Sequence, residues 1–230
     1  MVECRLAARP CDLHHLEGWF HVKHELEDEP AIAAELFGGR IDLARSYTQH
    51  LAERGEELGL IGPLELPRLW TRHILNSALL APLLRPGRVG DVGSGAGLPG
   101  LVLAIARPDV QFILIEPMER RVDWLLSEVA RLKLDNVEVV RARAEEVQLR
   151  PWLDQVTARA VSALSKLIPL TARLVRSEGE LVFLKGAGVS AEIDAAAKAI
   201  RKARLTNVEV LTLGEGVLPE VTRVFRATVD

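Results

Sequence analysis

A glycine-rich segment carries the clearest chemical signal in this chain of 230 residues. After Asp91 it reads Gly93-Ser94-Gly95-Ala96-Gly97-Leu98-Pro99-Gly100, between an apolar run and an amphipathic stretch. Glycines in a turn from strand to helix let the backbone approach a ligand that the helix N-terminus faces. Glu116, 19 residues beyond Gly97, ends the next apolar run, and a carboxylate there can accept hydrogen bonds from both hydroxyls of a ribose. The segment therefore predicts a binding site for a cofactor that contains a nucleoside.

The loop alone leaves two such cofactors open. Gly95, Gly97 and Gly100 match the dinucleotide pattern G-x-G-x-x-G, which is a weak signal by itself. The glycines begin earlier, however, at Gly93, and Asp91 precedes them. That form resembles the S-adenosylmethionine loop, in which the acid just before the glycines helps hold the amino-acid end of the cofactor. We therefore expect S-adenosylmethionine, with NAD as the alternative.

The residue types restrict the atom that accepts a methyl group. Transfer from a sulfonium is an in-line displacement, so the enzyme mainly aligns donor and acceptor. Methylation of a pyrimidine carbon needs a thiolate, but the only cysteines, Cys4 and Cys11, lie far from any predicted strand end. Enzymes that methylate exocyclic amines resemble one another in an N-P-P-Y-type loop after the fourth strand, where this chain has Thr157-Ala158-Arg159-Ala160-Val161. A ring nitrogen such as guanine N7 needs no base and fits better.

Three basic residues stand at predicted strand ends. Arg143 follows the third strand, Arg159 lies in the fourth, and Lys185 follows the fifth. Open α/β sheets bind ligands at the carboxyl ends of their strands, so these three are the predicted catalytic residues. Guanidinium and ammonium groups there could hold RNA phosphates or stack on a base. The alternative for each is an ordinary solvated surface charge.

The elements that position these residues alternate between strand and helix. The short apolar runs are Val89–Val92, Phe112–Ile115, Val137–Val140, Val156–Val161, Leu181–Leu184, Val208–Leu213 and Val221–Val229. The amphipathic stretches among them are Leu98–Ala106, Arg120–Leu132, Ser165–Val175 and Ser190–Ala203. This alternation predicts a parallel sheet covered on both faces, and the short turn between the last two runs predicts that they pair antiparallel. We predict an α/β fold with a seven-stranded Rossmann-like sheet, five parallel strands plus an antiparallel closing pair, which resembles the S-adenosylmethionine methyltransferase sheet more than a dehydrogenase.

The chain ahead of the sheet divides into two parts. Residues 1–30 mix acids, histidines and aromatics without a clean period, which indicates a flexible N-terminal extension. Residues 31–87 carry apolar residues at helical spacing and form a predicted helical cap, whose second helix begins after Pro67 and runs through Leu69, His73 and Leu80. Residues 88–230 then form the predicted methyltransferase domain.

Composition restricts the class of protein and its partners. The hydrophobic fraction of 48% excludes a disordered chain, and no apolar run is long enough to span a bilayer. The net charge of −3 argues against a whole-surface nucleic-acid binder but leaves room for a local basic site. Two cysteines favour a reducing cytoplasm, and their spacing to the nearby histidines follows no familiar zinc pattern. We therefore expect no membrane segment and no metal. Nothing in the sequence indicates an oligomeric state, and a monomer is the default expectation.

Several short motifs occur together in the order typical of one family. They are the glycine loop, Arg72-His73-Ile74-Leu75-Asn76-Ser77, Arg143-Ala144-Glu145-Glu146, Arg159-Ala160 and Leu184-Lys185-Gly186. Over residues 31–230, the chain resembles the bacterial 16S ribosomal RNA guanine-N7 methyltransferases, long called glucose-inhibited division protein B. The combination is far more specific than the glycine loop alone.

The resemblance implies a cytoplasmic enzyme that uses S-adenosylmethionine to methylate N7 of a guanine in the decoding-region loop of 16S ribosomal RNA, free or within a small-subunit particle. The residues predicted to bind the cofactor, from the loop or from the resemblance, are Asp91, Gly93, Gly95, Gly97, Leu98, Glu116, Ala144, Glu145 and Arg159. Among them, Glu116 meets the ribose, and Ala144 and Glu145 flank the adenine. The residues predicted to face RNA are Arg72, His73, Arg143 and Lys185.

Two other functions stay open at this point. The same fold could methylate a small molecule or a protein, enclosed by the helices before residue 88. A non-catalytic RNA-binding or cofactor-sensing module is the third hypothesis, against which the intact glycines and Glu116 argue. His73 has an alternative interpretation as an ordinary half-buried histidine.

Overall fold

The computed structural model describes residues 25–230. Of the predicted extension, residues 1–30, the first 24 residues therefore lie outside the described residues, and with them Cys4 and Cys11. Between residues 25 and 230, no helix combines the length and the apolar character needed to cross a membrane.

A seven-stranded sheet forms the centre of the fold. Its strands are β1 Gly87–Val92, β2 Val110–Ile115, β3 Val137–Val140, β4 Leu153–Arg159, β5 Val175–Lys185, β6 Leu205–Leu213 and β7 Thr222–Val229. Their order across the sheet is β3-β2-β1-β4-β5-β7-β6. β1 to β5 run parallel, and β7 pairs antiparallel with both β5 and β6. The predicted α/β sheet with its antiparallel closing pair is confirmed.

Helices cover both faces of this sheet. Their bounds are α1 Ile32–Phe37, α2 Ile41–Arg54, α3 Asn76–Ala78, α4 Gly100–Ala106, α5 Glu119–Leu132, α6 Leu164–Thr171, α7 Val189–Ala195 and α8 Ala197–Lys202. On one face, α2, α4 and α5 contribute Tyr47, Leu101 and Leu125 to the core. On the other face, α6 and α7 contribute Ile168 and Val189 to the core. Because both faces are covered, β2 buries every residue except Gln111, which explains its nearly continuous apolar run.

The strand register brings the predicted site residues to one edge of the sheet. Val92 at the end of β1 pairs with Ile115 at the end of β2, directly before Glu116. Arg159 at the end of β4 pairs with Leu184, directly before Lys185. Parallel strands that end in register place the residues following them at the same carboxyl edge.

The segment before β1 differs from the prediction. Apolar spacing predicts one helix after Pro67 that runs through Leu69 and Leu80, whereas the structure has a π-helix at Leu69–Leu75 followed by the short α3. Single π-helical turns are rare and are frequent at functional sites. Here the wide turn carries His73, whose side chain contacts residues on two other segments. Such tertiary contacts leave no trace in hydrophobic periodicity.

The bounds of several strands also differ from the predicted apolar runs, most clearly those of β4 and β5. β4 begins at Leu153 and ends at Arg159, earlier than the apolar run suggests. β5 begins at Val175, six residues before the predicted Leu181. Its first half contains exposed polar residues, so a search for apolar runs detects only its buried half.

Candidate active site

The glycine loop, residues 91–100, leads from the end of β1 into α4. Gly93, Gly95 and Gly97 have φ angles of 73°, 55° and 100°, a backbone conformation that favours glycine. A Cβ at Gly97 would also lie 2.4 Å from the Leu101 side chain. Above Gly95, by contrast, the nearest atom of the described residues to an added Cβ is the Gly93 carbonyl oxygen, 3.8 Å away. The loop is closely packed behind Gly97 and leaves room for a ligand above Gly95.

Asp91 is buried at the base of the glycine loop. Its Oδ2 accepts a hydrogen bond of 3.0 Å from the Gly100 backbone N–H, and its Oδ1 has no partner among the described residues. Burial raises the pKa of Asp91 to about 7, although the hydrogen bond from the Gly100 amide and the charge of Arg159 act in the opposite direction. A buried carboxylate oxygen without a donor is unfavourable, and a ligand ammonium group would satisfy it. This donor requirement fits the amino-acid end of S-adenosylmethionine.

Glu116 is buried and accepts two hydrogen bonds from backbone amides, one of them in the glycine loop. Its Oε2 accepts from the Gly95 N–H at 2.9 Å, and its Oε1 accepts from the Met118 N–H at 3.0 Å. The Arg121 guanidinium lies 4.0 Å from Oε2. Because an ionised carboxylate has about four acceptor sites, Glu116 can brace the loop and still accept from ribose hydroxyls.

The carbonyl oxygen of Ala96, in the middle of the loop, accepts two side-chain hydrogen bonds. Tyr47 Oη on α2 and Trp124 Nε1 on α5 each donate to it at 2.8 Å. Both side chains are buried, so the bonds are protected from competing water. The helical cap, through α2, and α5 therefore hold the loop at Ala96, while Glu116 holds it at Gly95.

A cleft of about 740 Å³ opens at the carboxyl ends of β4 and β5. We call it the basic cleft, because its walls include the predicted residues Arg72, His73, Arg159 and Lys185. It adjoins the glycine loop, since a Cβ at Gly93 would lie 2.7 Å from Val161, just beyond β4. Four predicted basic residues are thus brought together next to the predicted cofactor site.

Arg159 is held by two groups from the π-helix. Its Nη2 donates to His73 Nδ1, and its Nη1 donates to the Arg72 carbonyl oxygen at 3.2 Å. A guanidinium can only donate, so His73 Nδ1 is an acceptor and the ring proton lies on Nε2, 2.6 Å from Glu65 Oε2. Burial is the main reason that the pKa of His73 falls to about 4, and the Arg159 charge lowers it further. His73 is therefore neutral at pH 7, with both ring nitrogens engaged.

The Lys185 side chain is anchored within the cleft. Its Nζ lies 2.7 Å from Glu192 Oε2 and donates to the Ser162 carbonyl oxygen at 3.1 Å. Glu192 Oε2 also accepts from the Leu164 N–H at 3.1 Å, at the start of α6. Lys185 thus has a fixed position, unlike a freely solvated lysine. Arg72 is more exposed and lies 3.5 Å from Glu220.

The remaining predicted residues lie between β3 and β4. Arg143 and Glu145 are exposed, whereas Ala144 is buried. Arg173 donates to the carbonyl oxygens of Ala144 and Val147 at 3.0 and 2.8 Å, which holds this segment in place. In the part of the chain that the structure describes, Arg143 does not line the basic cleft.

Sequence reasoning did not single out Tyr47, Glu65 or Glu192. Tyr47 occupies an apolar position of a helix, and its hydroxyl contact spans 49 residues. Glu65 stands eight residues before His73, outside any periodic pattern. For Glu192 as well, the sequence contains no local signal, because its partners belong to other elements.

The fold and the loop together define a class, the Rossmann-like methyltransferases. A SAM dependent methyltransferase from Aquifex aeolicus has a similar structure, with a TM-score of 0.55 and 18% sequence identity over 76% of this chain and 98% of that chain. N-methyltransferase NodS from Bradyrhizobium japonicum WM9, solved in complex with S-adenosyl-l-homocysteine, has a TM-score of 0.54 and 15% identity over 80% of this chain and 98% of that chain. At such identities the likeness shows the fold alone.

Sequence comparison identifies the family. The model of the GidB family, rRNA small subunit methyltransferase G, matches residues 40–220. Ribosomal RNA small subunit methyltransferase G of Leifsonia xyli subsp. xyli (strain CTCB07) is 70% identical over 204 residues, 89% of this chain and 98% of that protein. The chain belongs to the rRNA small subunit methyltransferase G family. The family predicted from the motifs, and with it the class of enzyme, is confirmed.

Proposed function

We propose that this protein transfers the methyl group of S-adenosylmethionine to N7 of a guanine in the decoding-region loop of 16S ribosomal RNA. The main support is the position of Arg159 between two sites. Its side chain lines the basic cleft, and its charge acts on the buried Asp91 of the glycine loop. A cofactor above the loop therefore presents its methyl group beside a cleft with cationic groups for RNA.

S-adenosylmethionine is the cofactor that the sequence predicts, and the family of the chain agrees with it. Its ammonium group would meet Asp91, its ribose Glu116, and its adenine the segment of Ala144 and Glu145. Arg159 would bind its carboxylate, because guanidinium and carboxylate groups pair through two N–H donors. When bound, the cofactor supplies an electrophilic methyl group on a sulfonium.

The side chains of the basic cleft favour an acceptor that has no proton to lose. His73 Nδ1 is occupied by Arg159, and its Nε2 donates to Glu65, so neither nitrogen is free to remove a proton. Guanine N7 already presents a lone pair, and its methylation needs alignment more than general-base catalysis. We therefore assign to the cleft the task of orienting the base against the methyl group.

The RNA contacts are assigned to the predicted basic residues. Arg72 is exposed at the cleft mouth, and its ion partners at 3.5 and 3.9 Å are loose enough to exchange for a phosphate. Lys185 lies deeper and has a fixed position, which suits a group near the reacting base. Arg143, outside the cleft, would contact RNA that extends beyond it.

We further propose how the chain is organised around this reaction. Residues 31–87 act as a helical cap on the methyltransferase domain of residues 88–230, because Tyr47, Glu65 and His73 all reach the site from it. The substrate is 16S ribosomal RNA, either free or in an assembling small-subunit particle. The enzyme works on it as a monomer in the cytoplasm.

Methyl transfer tests the proposal directly. Purified full-length protein is incubated with S-adenosylmethionine carrying a labelled methyl group and with small-subunit particles, or free 16S RNA, that lack the modification. We expect label in 7-methylguanosine after RNA digestion, identified by mass spectrometry. Asp91→Asn should lose transfer, whereas Asp135→Asn, an exposed aspartate after α5, should retain it. Protein that binds S-adenosylmethionine in calorimetry but labels neither form of RNA would contradict the assignment.

A further inference from the structure

The basic cleft contains a chain of hydrogen bonds whose far end is not assigned to substrate or cofactor. The Arg159 guanidinium donates to His73 Nδ1, and His73 Nε2 donates to Glu65 Oε2 at 2.6 Å. The three residues come from the end of β4, from the π-helix and from the segment before it. Only the tertiary structure brings them together.

Glu65 is itself firmly held. Its Oε1 accepts a hydrogen bond of 2.6 Å from Arg68, and its side chain is only 20% exposed. Burial raises the pKa of Glu65, but hydrogen bonds from His73 and Arg68 outweigh this effect and lower the pKa below its ordinary value. An ionised acceptor strengthens the bond from His73 and keeps the ring proton on Nε2. The lone pair of Nδ1 is then always available to Arg159.

We propose that Glu65 is a positioning residue, which acts through His73 to orient the Arg159 guanidinium toward the carboxylate of the cofactor. This inference rests on the proposed function, in which Arg159 contacts the cofactor. Arg159 has five N–H donors, of which one donates to His73 and another donates to the Arg72 carbonyl oxygen. Two fixed donors determine the plane of the guanidinium, so the three remaining donors are held in one orientation. Without Glu65 the imidazole can rotate or change its tautomer, and that orientation is lost.

Calorimetric binding of S-adenosylmethionine to full-length protein tests the role. Glu65→Ala and His73→Ala should each weaken binding by roughly 10- to 100-fold, the range for one charge-assisted hydrogen bond. Glu65→Gln should weaken it by less than about fivefold, because the amide oxygen still accepts from His73. The matched control is Glu57→Ala, which removes an exposed carboxylate 3.0 Å from Arg54 and outside the cleft. It should bind like wild type.

A double-mutant cycle separates positioning from general stability. If Glu65 acts only through Arg159, Glu65→Ala should cause no further loss of affinity in an Arg159→Ala background. Equal additional loss in both backgrounds would overturn the proposal. Wild-type affinity in a folded Glu65→Ala variant, verified by circular dichroism, would overturn it as well.

A measurement without any ligand keeps this inference distinct from the proposed function. The ¹⁵N spectrum of the imidazoles at pH 7, with His73 assigned through His73→Ala, should show a neutral ring with the proton on Nε2. In Glu65→Ala that ring should change its tautomer or exchange between both forms, while Glu57→Ala should leave it unchanged. A wild-type ring protonated on Nδ1 would overturn the positioning role. The expected spectrum in a protein that methylates no RNA would support positioning and contradict only the proposed substrate.

Discussion

The glycine loop and the basic cleft lie at the same edge of the sheet, but they are built in different ways. The loop owes its shape to its backbone: three glycines have positive φ angles, its amides donate hydrogen bonds, and the Ala96 carbonyl oxygen accepts them. The cleft owes its shape to side chains from the π-helix, β4 and β5, linked by ion pairs and hydrogen bonds. We therefore expect substitutions that change backbone geometry to impair the loop, and substitutions that change charge to impair the cleft.

Gly97→Ala should have the largest effect, because it changes the geometry of the loop. The new Cβ would lie 2.4 Å from the Leu101 side chain, and residue 97 has a φ of 100°, which residues other than glycine rarely adopt. We expect the free energy of unfolding to fall by roughly 2 to 4 kcal/mol and the affinity for S-adenosylmethionine to fall at least about 100-fold. Denaturant titration and calorimetry measure the two quantities.

The matched control for Gly97→Ala is Gly39→Ala. No described residue has an atom within 4 Å of a Cβ at Gly39, and its φ lies outside the left-handed region. The free energy of unfolding of Gly39→Ala should stay within about 0.5 kcal/mol of the wild-type value. If Gly97→Ala behaves like this control, the loop does not depend on its backbone geometry.

Arg72→Glu should be next in size, because it reverses a charge at the cleft mouth. RNA methylation should fall about 10- to 100-fold in kcat/KM and show a weaker salt dependence, since a phosphate contact is replaced by repulsion. Affinity for S-adenosylmethionine should stay within about twofold of wild type. Lys198→Glu on α8, exposed and away from the cleft, is the charge-matched control. Unchanged RNA methylation in Arg72→Glu would show that Arg72 does not contact a phosphate of the RNA.

The ionisation of Asp91 should produce a pH dependence in the loop. Burial raises its pKa to about 7 and the charge of Glu116 also raises it, while the hydrogen bond from the Gly100 amide and the charge of Arg159 lower it. Below this pKa the carboxyl must lose a proton before it can pair with the cofactor ammonium group. Affinity for S-adenosylmethionine should therefore increase about tenfold from pH 6 to pH 8 and then level off, and Asp91→Asn should show no such increase.

The raised pKa of Asp91 also affects the stability of the fold. A carboxyl whose pKa is higher in the folded state than in the unfolded state destabilises the fold as pH rises from about 4 to about 7. Relative to Asp91→Asn, the wild type should lose about 2 to 4 kcal/mol of unfolding free energy across that window. Parallel pH profiles of the two proteins would disprove the shifted ionisation.

Tyr47→Phe should have the smallest effect, because Trp124 continues to donate to the Ala96 carbonyl oxygen. We expect a loss of about 0.5 to 1.5 kcal/mol in stability and of about two- to fivefold in affinity for S-adenosylmethionine. Thr48→Val is the matched control, since Thr48 donates only within α2, to Ala44 at 2.8 Å. It should lose similar stability with no change in affinity. The same affinity change in both variants would show that the Ala96 contact has no special role.

Much of the loop was predictable from sequence, and less of the cleft was. Asp91, the glycines and Glu116 are recognised by spacing within 26 residues, and strand pairing brings them together as that spacing suggests. In the cleft, Arg159, His73 and Lys185 were identified as site residues, but their partners Glu65 and Glu192 were not. The separation of Arg143 from these residues was also invisible, because strand-end position does not specify where the following segment goes.

The sequence by itself determined the alternation of strands and helices, the glycine loop and the family. These depend on local quantities: the period of apolar residues, the φ angles that only glycine adopts easily, and motif order. Only the tertiary structure decided which side chains hold Arg159 and the Ala96 carbonyl oxygen. The bond between Arg159 and His73 joins residues 86 positions apart, and no local preference of either residue encodes it. Such contacts form only when packing of the helical cap against the sheet excludes water and leaves buried donors with one set of available acceptors.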